Sequence, residues 1–128
     1  MRSKVVVADD GPLARAGLKL LRWFANRMER AFVVLRSRGP AWDDAKSLEA
    51  QSEWAAHAAF MDALFEQGFA ALVGPLEGTR DALLILRASS TSEVVERLAS
   101  DPWTTNGLLV TKQISPWQIR LGTLGVEG

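Results

Sequence analysis

Apolar residues recur along this chain in short blocks of the length that β-strands use. Residues 31–35, 69–73, 82–86 and 107–111 are short, mostly apolar runs that contain many branched or aromatic side chains, bounded by polar residues, glycine or proline. Such runs predict four β-strands. Residues 117–121 alternate apolar with polar side chains, which predicts a further short strand with one wet face.

Two longer segments between these blocks have helical signals. Residues 48–67 form a helix-length segment, and Gly68 directly after it is a common helix terminator. Ser90, with Glu93 three residues later, forms a capping-box pattern for a second helix. Pro102 limits that helix, because a residue before proline disfavours helical geometry.

The predicted order is therefore β-α-β-β-α-β with a final short strand, an α+β arrangement of ferredoxin-like type. Its first four strands are continuous apolar runs, which is typical of strands buried on both faces. Two helices cover only one face of such a sheet. We expect a second copy related by a two-fold axis to cover the other; the alternative is that residues 1–27 fold back over it.

Residues 1–27 do not fit this pattern. The apolar patch before Asp9 and Asp10 resembles the opening of a bacterial receiver domain, over about twenty residues only. The other receiver elements are not found in the later sequence. We expect residues 1–27 to be a non-native or loosely docked extension and residues 28–128 to be the folded domain.

Composition narrows the classes of partner. The chain has 15 basic and 15 acidic residues, and this zero net charge argues against a general nucleic-acid binder. No apolar run reaches the roughly 20 residues that a membrane-spanning helix needs, so no membrane association is expected. The absence of cysteine excludes disulfides and thiolate metal sites, and it fits a cytoplasmic location.

His57 is the only histidine in the chain, and so the one side chain that titrates near neutral pH without perturbation. On a helical wheel it falls in one apolar sector with Trp54, Met61, Leu64 and Phe65. It therefore points toward the sheet. Two interpretations are open: a core histidine whose hydrogen bonds are satisfied, or a general acid–base group in a pocket.

Asp101 is the candidate partner of His57. It follows the second predicted helix, and a negative charge at a helix C-terminus is unfavourable by a few tenths of a kcal/mol. Either Asp101 begins a turn before Pro102, or it pairs with a positive group. A carboxylate beside an imidazole fixes its tautomer, which a proton-transferring base requires. From residue types alone both interpretations stay open.

An ordered set of short motifs between about residues 29 and 122 resembles the YCII-related family of small bacterial proteins. The motifs are His57 in the first helix, Gly68 with Phe69, Gly74 with Pro75, Ser90 with Glu93, Asp101 to Trp103, Gly107 with Leu108, and Trp117.

The resemblance implies a dimeric α+β barrel with an active site built on His57 and Asp101, in a pocket shaped by Gly74 and Pro75. Most members of that family have no assigned reaction. A few related proteins eliminate chloride from chlorinated aromatic breakdown products or isomerise lactones, without metal or organic cofactor. The expected function is therefore cofactor-independent lyase or isomerase chemistry on a small organic acid. The alternative is a non-catalytic dimeric module that binds a small ligand or a protein.

Other side chains are candidates for contacts with such a ligand. Trp103, Trp117 and Phe60 either line an apolar pocket or pack in the core. Arg38, with Arg36, could clamp a carboxylate, since a guanidinium favours that geometry. The alternative for both arginines is a solvated loop after the first strand.

Overall fold

The computed structural model describes residues 30–124. Its elements are β1 (Arg30–Arg38), α1 (Trp54–Glu66), β2 (Ala70–Pro75), β3 (Asp81–Ala88), α2 (Thr91–Ala99), α3 (Pro102–Thr105) and β4 (Leu109–Trp117). The four strands form one antiparallel sheet in the order β2-β3-β1-β4. This α+β architecture is compatible with the predicted ferredoxin-like fold. The predictions for residues 1–27 lie outside the described residues. None of the helices between residues 30 and 124 is long and apolar enough to cross a membrane.

The sheet has one face that packs against the helices. Across β1 and β3, Phe32 lies opposite Leu86 and Val34 opposite Leu84, and all four are fully or almost fully buried. Residues paired across antiparallel strands share a face, and alternate residues of one strand do so too. Arg36 therefore points to the helix side of the sheet, in line with Phe32 and Val34.

The helices complete the core with fewer residues than the helical wheel predicts. Leu64 of α1 is buried in the core cluster, as predicted, and so is Val94 of α2. Phe65, however, is 61% exposed, and Phe60 packs against the core in its place. Phe60 and Leu64 are one helical turn apart, whereas Phe65 lies about 100° further round. Val95 is likewise exposed, one residue round from Val94.

The first helix is shorter than predicted. The segment predicted as one helix contains a 3₁₀ turn at Leu48–Ala50 and the α-helix Trp54–Glu66. Glu53 separates them with a left-handed backbone (φ 62°), and a helix cannot continue through that conformation. The second helix begins as predicted, because the Ser90 hydroxyl accepts the Glu93 N–H at 3.1 Å.

The predicted short strand over residues 117–121 is wrong. Strand β4 already ends at Trp117, and residues 118–120 have no regular secondary structure. Trp117 lies opposite Ala31, at the start of β1. Beyond that point the described part of β1 offers almost no backbone with which a longer strand could pair.

The sheet face away from the helices is also apolar. It carries Val33, Leu35, Leu83 and Ile85 on the two central strands, and Leu72 on β2. Leu72 is 65% exposed, whereas Ile85 is buried. The continuous apolar pattern of the strands therefore corresponds to two apolar faces, of which α1 and α2 cover one.

Candidate acid–base site

A pocket of about 460 Å³ opens on the helix side of the sheet. It lies between α1, the loop that follows β1, and the ends of β2 and β3. Its apolar wall includes Trp42, Trp54, Met61, Val73, Pro75 and Trp103. A pocket of this volume and character fits a small organic ligand.

His57 lies at this pocket and makes the contact with Asp101 that was one of the two interpretations open from the sequence. Its Nδ1 is 2.9 Å from Asp101 Oδ1 and 3.0 Å from Oδ2. The side chain of Asp101 is fully buried, and that of His57 is 12% exposed. An ionised carboxylate can only accept hydrogen bonds, so Nδ1 carries the proton. In the neutral imidazole Nε2 then has a free lone pair, and it has no hydrogen-bond partner among residues 30–124.

The sequence suggested that Asp101 pairs with a positive group because it lies at the C-terminus of the second helix. That position is wrong, although the contact of Asp101 with His57 is present. Helix α2 ends at Ala99, with Ser100 as its C-cap. Asp101 is the N-cap of α3, where its carboxylate accepts the backbone N–H of Trp103 at 3.0 Å. An acid is favourable at a helix N-terminus. Helix capping thus accounts for the position of Asp101 without any need for a positive partner.

Asp101 nevertheless has a positive partner, which is Arg36. The Arg36 side chain is 1% exposed, and its Nη1 donates to Asp101 Oδ2 at 2.8 Å. Its Nη2 donates to Thr104 Oγ1 at 2.5 Å. Both sequence-based alternatives for Arg36, a ligand clamp and a solvated loop, are therefore wrong. The signal that could have placed it is its alternation with Phe32 and Val34 along β1.

The Asp101 carboxylate is held in its ionised form. Burial by itself raises its pKa, but hydrogen bonds from His57, from the Trp103 backbone N–H and from Arg36 lower it. The net pKa lies below the ordinary value of 3.8. Asp101 is therefore a permanent negative charge beside the imidazole at neutral pH.

Aromatic rings surround the imidazole on the pocket side. The Trp103 ring stacks on His57, with centroids 3.9 Å apart and planes 5° from parallel. Trp54 and Trp42 pack against Trp103 at centroid distances of 5.8 Å and 5.5 Å. Trp103 Nε1 donates to the Ser52 carbonyl at 2.7 Å, which fixes the ring. These rings limit the access of water to the imidazole.

The other predicted ligand-contact residues divide into two groups. Arg38, Gly74, Pro75 and Trp103 line the pocket, as the sequence suggested. A Cβ added at Gly74 would meet no atom within 4 Å, so packing does not require glycine there. Phe60 packs against the core. Trp117 lies at the end of β4, away from the pocket.

Charges at the pocket rim are mostly compensated. Arg80 pairs with Asp44 at 2.9 Å, and Lys112 pairs with Asp81 at 2.7 Å. The hydrogen bond from Lys112, opposed by burial, holds the pKa of Asp81 below its ordinary value. Arg38 lies 4.8 Å from the centre of the Trp42 ring and makes no ion pair with a carboxylate of residues 30–124. It is therefore the pocket cation left for an anionic ligand.

The loop that carries Trp42 is organised around Gln51, which sequence reasoning missed. Gln51 is only 4% exposed. Its Nε2 donates to the carbonyls of Asp43 at 2.7 Å and Lys46 at 3.1 Å, and its Oε1 accepts the Asp43 N–H at 3.0 Å. A glutamine inside a polar loop gives no sequence signal of such burial.

Within residues 30–124, no group of three or more histidine or acidic side chains lies close enough to hold a metal ion. Comparison of the chain with models of known protein families finds no match. Comparison with curated protein sequences finds no significant match. The resemblance to the YCII-related family therefore stays a prediction.

Proposed function

We propose that this protein is a cofactor-independent enzyme of lyase or isomerase type that acts on a small organic acid. The observation that supports it is the geometry of His57. A buried carboxylate holds its Nδ1, and its Nε2 has no partner among the described residues at a pocket of ligand size. This is the arrangement that a general base requires.

In the proposed reaction, His57 Nε2 removes a proton from a carbon next to the ligand's carboxylate. The electron pair of that C–H bond forms a carbon–carbon double bond. In a lyase the leaving group departs with its own bonding pair; in an isomerase the electron pair of an adjacent carbon–carbon double bond takes the proton back from the imidazolium at the far carbon of that bond. Asp101 stabilises the imidazolium and holds its orientation throughout. The stacked Trp103 ring keeps water from the transferred proton.

Arg38 would bind the carboxylate of the ligand. A guanidinium and a carboxylate form two parallel hydrogen bonds, which fixes orientation as well as position. The apolar body of the ligand would then lie along Trp54 and Met61, toward His57. Gly74 and Pro75 would form the opposite wall.

The same proposal includes the family and the assembly. It places the chain in the YCII-related family and in the cytoplasm, as a homodimer of the dimeric α+β barrel type. The apolar sheet face that carries Leu72 supports the dimer, because a second copy related by a two-fold axis would bury it.

A non-catalytic ligand-binding module is the second candidate. It is favoured by the structural bonds of Asp101, which caps α3 and pairs with Arg36. In that case His57 is a third structural partner of the same carboxylate, and the pocket binds a small acid without reaction.

A hydrogen-exchange assay on candidate ligands separates the two functions. A set of small carboxylic acids that carry hydrogen on the carbon next to the carboxylate, such as β,γ-unsaturated and arylacetic acids, is incubated with the protein in D₂O, and deuterium incorporation at that carbon is followed by NMR. We expect exchange with at least one acid, and we expect His57→Gln to lose at least about 100-fold of that rate, the usual contribution of a general base. Ligand binding, followed by tryptophan fluorescence, should survive this change.

Arg38→Met is the companion variant, with weaker binding as its expected result. Exchange at the wild-type rate in a folded His57→Gln would refute the proposed base. Binding without any exchange or turnover in the wild-type protein would favour the binding module.

A further inference from the structure

Arg36 is a buried charge that the proposed reaction does not use. Its guanidinium bridges the central strand β1 to helix α3, through Asp101 Oδ2 at 2.8 Å and Thr104 Oγ1. Its Nε is buried without a hydrogen-bond partner among the described residues. The two contacts with α3 therefore determine where the guanidinium lies, and they place its charge against the carboxylate that holds His57.

Asp101 is the charged group that contacts His57, and Arg36 is joined to the imidazole through the same carboxylate. Both are almost completely excluded from water. The remaining charges around the pocket are the exposed Asp62 on α1, Arg38 on β1, and the compensated pairs Arg80 with Asp44 and Asp81 with Lys112. Only Asp101 and Arg36 lie within one hydrogen-bonded unit with the imidazole.

A buried charge without a counter-charge is strongly unfavourable, so a site of this kind acquires or loses a proton until its charges balance. With Arg36 present, the carboxylate is already compensated. The imidazole can then remain neutral, with one proton on Nδ1. If the guanidinium were absent, His57 would be the nearest group able to supply the missing positive charge, and it would do so by binding a second proton at Nε2.

We propose that Arg36 is a positioning residue that keeps His57 in the form of a base. It supplies the counter-charge of Asp101, so that Nε2 keeps its lone pair toward the pocket. This inference rests on the proposed function in one respect: that function makes the Nε2 lone pair the general base. The protonation that it describes can be measured without any substrate.

The single histidine makes the test direct. In protein labelled with ¹⁵N-histidine, all imidazole signals come from His57. At one fixed, near-neutral pH, we expect the wild-type spectrum to show one protonated nitrogen, Nδ1, and one unprotonated nitrogen, Nε2. In Arg36→Met the separation between the two ¹⁵N shifts should collapse, because both nitrogens carry a proton. Arg97→Met removes a cation of α2 that does not contact the site, and it should leave the wild-type pattern.

Two further variants separate charge from a structural role. Arg36→Lys restores a cation and should restore a neutral imidazole. The double variant Arg36→Met with Asp101→Asn removes both charges and should also leave a neutral imidazole. A residue that only supported packing would not be rescued by removing its partner as well.

A neutral, Nδ1-protonated His57 in folded Arg36→Met would overturn the inference. A doubly protonated His57 in Arg36→Lys or in the double variant would also overturn it. If Arg36→Met does not fold, the spectra of these two variants test the inference. The spectra stand independently of the acid screen. Absence of any reactive acid would count against the proposed function alone, and a neutral imidazole in Arg36→Met would count against this inference alone.

Discussion

At the scale of the residue, Asp101 links the site to the stability of the fold. Its carboxylate accepts hydrogen bonds from a helix N-terminus, from a buried arginine and from an imidazole. These bonds are stronger when the carboxylate is ionised, which is why its pKa lies below 3.8 in the folded protein. The folded state therefore binds a proton at Asp101 less readily than the unfolded state does.

Asp101→Asn should lower the free energy of unfolding at neutral pH by about 3 kcal/mol, because it leaves Arg36 buried without a counter-charge. A group whose pKa is lowered by folding contributes stability above its unfolded value, and that contribution is lost as the pH falls through the folded value. The difference between the variant and the wild type should therefore narrow as the pH falls below about 3.8. Urea denaturation at several pH values measures this difference.

Asp62→Asn is the matched control, because Asp62 is an exposed acid of α1 with no ion pair among the described residues. Its effect should be within about 0.5 kcal/mol at every pH. A constant difference between Asp101→Asn and wild type across the acid range would contradict the role of ionisation.

Residue types alone could predict half of this site. The apolar helix sector of His57 indicated a histidine turned toward the sheet, whereas the helix-end argument suggested the right partner, Asp101, for a wrong reason. Alternation along β1 assigns Arg36 to the helix side of the sheet, but its complete burial could not be predicted from residue types. Arginine is rarely buried, and its burial here depends on Asp101 and Thr104, which come more than sixty residues later in the chain.

At the scale of the element, one close backbone approach fixes the wall of the pocket. The Gly39 N–H donates to the Leu108 carbonyl at 2.8 Å, and the Ala41 N–H donates to the Gly107 carbonyl at 3.1 Å. A Cβ at Gly39 would collide with the backbone of Gly107. The loop that carries Trp42 is therefore held against the end of α3 by the absence of a side chain.

Gly39→Ala should destabilise the protein by about 1–3 kcal/mol, the usual cost of an added methyl group in a packed site. Because the collision pushes the Trp42 loop away from α3, ligand binding should weaken as well. Thermal unfolding and tryptophan fluorescence provide the two measurements. Gly74→Ala is the control, since a methyl group there meets open space. Equal stability losses in the two variants would argue against the close approach.

The hydrophobic pattern predicted which segments are strands and helices, but it did not predict the residues at which they end. The predicted fourth strand stops at residue 111, whereas β4 continues to Trp117 through Lys112 and Gln113, which are exposed. Gln113 is strand because it pairs with Leu35 of β1, and Lys112 lies at a register shift between the pairs Leu35 with Gln113 and Arg36 with Thr111. Pairing with a distant strand is a tertiary effect, so local hydrophobicity does not mark where β4 ends.

At the scale of the whole molecule, the apolar sheet face away from the helices is the surface on which the proposed second copy would bind. Leu72→Glu places a charge on that face, and we expect it to convert a homodimer into a monomer in sedimentation velocity measurements. Val95→Glu adds the same charge at an exposed position of α2, and it should leave the assembly unchanged. A monomeric wild-type protein at micromolar concentration would contradict the proposed dimer.

The position of β1 between β3 and β4 has a consequence for which parts of the molecule open together. Backbone amides of a central strand exchange with solvent mainly through global unfolding, whereas a surface loop can open by a local fluctuation. Arg36 belongs to the first class. Trp42 belongs to the class that opens locally. It lies in a surface loop whose backbone is held by hydrogen bonds between Gln51 and Asp43. Deuterium uptake should therefore be slow at the backbone amide of Arg36 and faster at that of Trp42. The part of the pocket wall formed by Trp42 can then open while the ion pair between Arg36 and Asp101 stays intact.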